Sequence, residues 1–243
     1  MNHQHKTGRT AGVLGGMGPD ATVDFMAKVI ALTPASRDQD HVRMLIDHNP
    51  RVPDRQAAIL ADGENPAPVL AEMAVRLEAG GADFLVMPCN AAHVFQADIV
   101  AATRIPLISI IDASIEALTE AAPETVAVGI LATSGCLQAG IYQRALEAAG
   151  RSSILPTGSE RDDLMALIES IKAGQTGAHV ATAMGELAKA LSARGAQAII
   201  AGCTEIPLVL DEAALDVPLI SSTDVLAVKT VRLALGEIPL PSR

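Results

Sequence analysis

The sequence has no tryptophan, one tyrosine and three phenylalanines among 243 residues, so aromatic side chains make up 2% of it. Binding single strands or sugars by stacking needs several exposed rings, and this composition excludes it. No run of about eighteen apolar residues occurs, so no membrane span is expected. Three cysteines in a chain of this length make no disulfide framework, which leaves the cytoplasm, where thiols stay reduced, as the default compartment. Basic residues are in the minority: 18 Lys and Arg stand against 28 Asp and Glu, a net charge of −10. A nucleic-acid backbone is therefore not an expected partner. The phosphate-binding patterns Gly-x-Gly-x-x-Gly and Gly-Lys-Ser/Thr are missing too. The cysteines and histidines lack the close paired spacing of a structural zinc site, so no metal is expected.

Apolar residues, in contrast, make up 49% of the chain and charged residues 19%, enough for one large domain or two small ones with a substantial core. Residues 1–10 are polar and basic with no apolar stretch, and read as a flexible leader rather than a secretory signal. Beyond them, short apolar strands alternate with helical stretches. Strands are expected at 11–14, 42–47, 84–86, 105–109, 126–131, 154–155, near 196–201 and at 217–221. Helices are expected at 21–31, 69–79, 94–103, 113–121, from 136 through 148, at 162–171, 180–193 and 225–235. Residues 48–55 and 63–68 read as loops, the former with two prolines and two arginines. Asp112 and Asp224 stand where helix caps are expected. Strands separated by helices of this length predict an α/β fold with parallel sheets covered on both faces.

The landmarks repeat. Gly81-Ala82 opens a strand and Cys89 follows eight residues after the glycine; Gly195-Ala196 opens another and Cys203 again follows after eight. Gly12-Val13-Leu14 with its glycine turn matches Gly129-Ile130-Leu131 with Thr133-Ser134-Gly135. Ile105-Pro106-Leu107-Ile108-Ser109 matches Val217-Pro218-Leu219-Ile220-Ser221. From Gly12 to Cys89 is 77 positions and from Gly129 to Cys203 is 74. This order predicts two α/β halves related by a pseudo-two-fold axis: residues 11–113 with 217–243, and residues 114–216. Ligands in such folds bind at the carboxyl ends of the strands, where both cysteines stand.

A cysteine at a helix N-terminus is expected to have a lowered pKa, which suits a general base. Two of them on opposite faces of a tetrahedral carbon could take a proton from one side and return one from the other, inverting the centre without a cofactor. The developing charge on a neighbouring carboxylate would need donors. Backbone N–H groups of 15–18 and 133–135 and the side chains of Asn90 and Thr204 are the candidates.

Gly15-Gly16-Met17-Gly18-Pro19, Pro88-Cys89-Asn90-Ala91-Ala92-His93 and Gly202-Cys203-Thr204-Glu205 resemble motifs of the aspartate/glutamate racemase superfamily, most of all its aspartate racemase branch. Asn49-Pro50-Arg51-Val52-Pro53-Asp54-Arg55 and Ile171-Lys172-Ala173-Gly174 extend the resemblance, which runs from about Thr10 to the last helix. It implies two Rossmann-like halves with the active site in the cleft between them, and a cofactor-independent enzyme acting on a small acidic amino acid as a homodimer. By motif match Cys89 and Cys203 are the paired acid/base residues. Arg55 and Lys172 are candidates for the distal carboxylate. Met17, Asn90, Ala91, Ser134 and Thr204 complete the substrate-binding set. The chain departs from the pattern at Ala91 and Cys136, where threonine is usual, and at Arg51, where an uncharged residue is usual.

Other readings stay open at this level. His93 could tune the Cys89 thiolate or simply pack. Glu205 could activate Cys203 or serve as an ordinary helix-start carboxylate. Cys136 is expected to pack or to form part of the pocket wall. The same superfamily includes maleate isomerases and arylmalonate decarboxylases, so isomerisation or decarboxylation are alternative chemistries. A non-catalytic binder of acidic metabolites is a third.

Overall fold

A computed structural model describes residues 8–241. The first half begins with β1 (Ala11–Gly15), α1 (Pro19–Leu32), β2 (Met44–His48), α2 (Arg55–Leu60) and α3 (Ala67–Ala79). β3 (Phe84–Val86), a 3₁₀ turn (Ala91–Phe95), α4 (Gln96–Ala102) and β4 (Leu107–Ile108) follow. After α5 (Ile110–Ala121) the pattern restarts with β5 (Ala127–Leu131), α6 (Ser134–Ala139), α7 (Ile141–Ala148) and β6 (Ser152–Ile154). It continues through α8 (Ser159–Lys172), α9 (Ala178–Ala193), β7 (Ala198–Ala201), β8 (Leu219–Ser221) and α10 (Ser222–Ala234).

The strands form two four-stranded sheets, in the orders β2-β1-β3-β4 and β6-β5-β7-β8, and every pairing is parallel. The second order is the first with each number raised by four, so the internal repeat is a repeat of topology. Period-two alternation sends the faces of each strand to different cores. Val13, Phe84 and Val86 of the first sheet join Val128, Ile130 and Ile200 of the second in one central core. Leu14 and Leu85 point the other way, into an outer core with Met73 and Leu77 of α3. Leu131 and Ile199 do the same against α8 and α9.

The last helix of each half crosses over. α5 follows β4 but packs on α7 and β8, and α10 follows β8 but packs on α1. Both start with the same device: Ser109 accepts from the N–H of Asp112 at 3.1 Å, and Ser221 from that of Asp224 at 3.3 Å. The caps are thus the serines, and the aspartates expected to cap sit in the first turn, where they favour the helix dipole. β8 pairs with β7, which puts residues 219–221 in the second sheet rather than with the first half as the sequence reading had them.

Other departures are local. Gly140 takes φ +65° and splits the single helix expected from 136 through 148 into α6 and α7. α2 emerges between the two stretches expected as loops, capped by Asp54 accepting from the N–H of Ala57 at 2.8 Å. Of the expected leader, residues 1–7 lie outside the described part, while Arg9 is held by hydrogen bonds to the carbonyls of Leu233 and Ile238, each 2.9 Å, and Thr10 is buried. Among the described residues no helix is long and apolar enough to cross a membrane.

Candidate active site

Cys89 follows the end of β3 and Cys203 the end of β7, the equivalent strand of the other sheet. Both line one narrow cleft, together with Met17, Arg55, Asn90, Ala91, Lys172 and Thr204. Of the residues selected from sequence, Ser134 alone is not on its wall; Thr133 stands there instead. The Ser134 N–H points away, to Met165 Sδ at 3.2 Å. A wider cavity of about 360 Å³ shares Asp54, Arg55, Lys172 and Glu205 with the cleft. Arg51 lines neither. Cys136 is buried in the central core, where lack of solvent pushes its thiol up to about 12.

The thiols are not at α-helix N-termini. Residues after Cys89 form a 3₁₀ turn, and after Cys203 a 3₁₀ turn at Ile206–Leu208. The helix dipole expected to lower their pKa is correspondingly short. Burial dominates: Cys89 is raised, with the charges of Arg55 and Lys172 opposing, and Cys203 is raised well above the ordinary thiol value, with the Glu205 carboxylate adding to the effect. At rest both side chains are therefore thiols, and forming a thiolate needs a local base or a nearby cation.

The cleft supplies one of each. Glu205, 4% exposed, accepts the Cys203 S–H at 3.0 Å and the Thr204 O–H at 3.2 Å. It is thus a partner of the thiol, more than a helix-start charge, and Thr204 spends its hydroxyl proton on it. The cations are Arg55, whose charge opposes the rise at Cys89, and Lys172, whose charge opposes it at both thiols. Arg55 Nη1 donates to the carbonyls of Val52 and Pro53, both at 3.0 Å, which fixes the guanidinium at the cleft wall. Lys172 lies in the last turn of α8. Among the described residues neither cation forms an ion pair with a carboxylate.

His93 is a strut. Its Nε2 accepts from the Ile110 N–H at 3.1 Å, so Nδ1 carries the proton and donates to the Cys89 carbonyl at 2.8 Å. Burial holds the ring neutral, with a pKa lowered to about 4. The imidazole ties the Cys89 backbone to the start of α5 and does not face the thiol as a base.

Gln56 was not legible as functional. It sits in the first turn of α2, in the first half, and reaches the second: Nε2 donates to Thr133 Oγ1 at 2.9 Å, and Oε1 accepts the Gly135 N–H at 2.7 Å. A Cβ on Gly135 would lie 2.8 Å from Gln56 Oε1, so glycine there makes room for the bridge. The N–H groups of Ser134 and Gly135, expected to await a substrate, are already engaged. Only the Thr-x-x-Cys cap at Thr133 offered a sequence signal for this corner.

The chain matches the Asp/Glu/Hydantoin racemase family model over residues 14–230. It is similar to a broad specificity amino-acid racemase, RacX, of Bacillus subtilis, with 32% identity over 226 residues, 90% of this chain and 96% of that protein. The structure is similar to Picrophilus torridus aspartate racemase, with a TM-score of 0.84 and 29% identity, covering 93% of this chain and 94% of that one. Glutamate racemase isoform RacE1 from Bacillus anthracis shares the fold at a TM-score of 0.67 and 20% identity, covering 97% of this chain and 85% of that one. With a family match across most of its length and a relative aligned nearly end to end, the chain belongs to the Asp/Glu/Hydantoin racemase family and is an isomerase.

Proposed function

We propose that this chain racemises an acidic amino acid, aspartate or glutamate, by proton transfer between two cysteines and the α-carbon, without a cofactor, as a cytoplasmic homodimer. The observation that carries the reading is the pair of thiols at equivalent strand ends of two sheets of identical order, lining one cleft.

In one direction the Cys203 thiol passes its proton to Glu205 and the resulting thiolate removes the α-proton of the substrate. The Cys89 thiol delivers a proton to the opposite face. The carbanion's charge spreads into the α-carboxylate, and the Asn90 amide beside Cys89 is the side-chain donor for it. In the other direction Cys89 is the thiolate, favoured by the charges of Arg55 and Lys172. The mechanism is thus symmetric in its thiols and asymmetric in how each is activated. Arg55 and Lys172 also complement a distal carboxylate, which favours the acidic substrates named by the aspartate racemase likeness. The broad specificity of the Bacillus subtilis relative argues for assaying neutral amino acids as well.

Chiral chromatography of purified protein incubated with a panel of L-amino acids tests this. D-aspartate or D-glutamate should form without additions, and Cys89→Ala or Cys203→Ala should each abolish it. Full activity in either variant would exclude the two-cysteine mechanism, and exchange of no acidic substrate would exclude the reading.

A further inference from the structure

The loop with Cys89 belongs to one sheet and the loop with Cys203 to the other, so their relative placement depends on what joins the two strand ends. Two buried side chains join them. Tyr142, the only tyrosine in the sequence, lies on α7 and is fully buried. Its hydroxyl donates to Asn90 Oδ1 at 2.6 Å. Its ring covers Gly202, where a Cβ would come within 2.8 Å of Tyr142 Cε2. One side chain therefore touches the residue after Cys89 and the residue before Cys203.

Ser222, the first residue of α10, makes the second link. Its hydroxyl donates to the Ala201 carbonyl at 2.8 Å and accepts from Asn90 Nδ2 at 3.0 Å. A serine has one proton to give, and Ala201 takes it, so the Asn90 group facing Ser222 must be the NH₂. The amide oxygen then faces the tyrosine. Asn90 is thus oriented from both ends, with one amide N–H uncommitted by these two contacts. Burial pushes the Tyr142 phenol far above its usual range, so it stays a donor. Ser114 Oγ lies 3.3 Å from the phenol oxygen but gives its proton to the Ile110 carbonyl at 2.7 Å.

We propose that Tyr142 is a positioning residue, its hydroxyl orienting Asn90 beside Cys89 while its ring backs Gly202 beside Cys203, so that it sets one thiol against the other across the cleft. This rests on the two-cysteine reading above. It explains why a chain almost without aromatics buries a polar one between its halves, and why the position before Cys203 is glycine.

Tyr142→Phe keeps the ring and removes the hydroxyl. Its kcat should fall about tenfold, the factor one hydrogen bond of ordinary strength is worth, with KM within about twofold. In an Asn90→Ala background the same replacement should change kcat less than about twofold, because the tyrosine acts through the asparagine. Loss that multiplies fully in the double variant, or a Tyr142→Phe kcat within about twofold of the parent, would overturn the proposal. A second measurement does not depend on turnover: alkylation of Cys89 and Cys203 by iodoacetamide, resolved by peptide mass spectrometry. Both rates should rise about three- to tenfold in Tyr142→Phe and in Ser222→Ala; unchanged rates would overturn it. Should Tyr142→Phe not fold, Ser222→Ala carries the same test. A parent protein that racemises nothing would refute the two-cysteine reading, and the alkylation rates would still decide this one.

Discussion

Replacing pH 7.5 buffer by mild acid should loosen the Cys89 loop through one residue, His93. In the folded protein the ring is neutral, with a pKa of about 4, because it is buried and its Nε2 accepts the Ile110 N–H. In the unfolded chain it titrates near the ordinary value of 6.5. A histidine with a depressed folded pKa contributes its full stability above the unfolded value, and that contribution is lost as pH falls toward the folded one. The gap between 6.5 and about 4 corresponds to about 3 kcal/mol, at ~1.4 kcal/mol per pH unit. Most of it, about 2.5 kcal/mol, should be gone by about pH 4.5. Protonation would also set an N–H against the N–H of Ile110 and release the strut behind Cys89. Urea unfolding of the parent and of His93→Gln across this range isolates the effect, because the variant has no group at this position to titrate there. The parent should lose the stated amount relative to the variant. Parallel pH profiles for the two, or a His93 ring that titrates near neutrality by NMR in the folded protein, would refute the reasoning.

Three further perturbations probe the cleft. Glu205→Gln keeps the shape but cannot take a proton from Cys203; kcat should fall about 10²- to 10⁴-fold, while Cys203 alkylates faster, since the neighbouring negative charge that raises its pKa is gone. Slower alkylation would mean that the carboxylate stabilises the thiolate. Gln56→Ala removes two hydrogen bonds between the halves and should cost about 1–3 kcal/mol in urea unfolding; an unchanged midpoint would show that the bridge contributes nothing. Lys172→Met should raise KM for aspartate about ten- to hundredfold, the range of a hydrogen bond to a charged group, and leave KM for a neutral amino acid nearly unchanged; equal effects on both would remove it from the distal carboxylate.

The fold was legible because the repeat survives at the level of strand ends, glycine turns and Pro-bearing strand starts, which a chain must keep to rebuild the same sheet twice. The crossing-over of α5 and α10 was not fully legible, since a helix that packs on the other half has the same periodicity as one that packs on its own. That is why β8 was placed with α10. At the site, Cys89 and Cys203 were marked by their spacing, and Arg55 and Lys172 by the resemblance. Their thiol pKa direction was not, because it turns on burial and on whether the next turn is α or 3₁₀, and a sequence window does not distinguish these. The contacts of Gln56, Glu205 and Tyr142 are long-range or depend on side-chain direction. Gln56 meets Gly135, and Tyr142 meets Asn90, from the opposite half. His93 could have tuned the thiolate or simply packed, since it stands one turn after a cysteine; the ring is committed to backbone at both nitrogens.

The central claim is that two different thiols serve the two faces of the α-carbon. The direct measurement is initial-rate racemisation of L-aspartate in D₂O, with the enantiomers separated and their deuterium content read by mass spectrometry. The account predicts that the first D-aspartate formed carries deuterium while recovered L-aspartate stays protiated, because the proton taken by one cysteine is not the one returned by the other. Deuterium entering recovered L-aspartate as fast as it enters the product would mean that a single group serves both faces, and would contradict it.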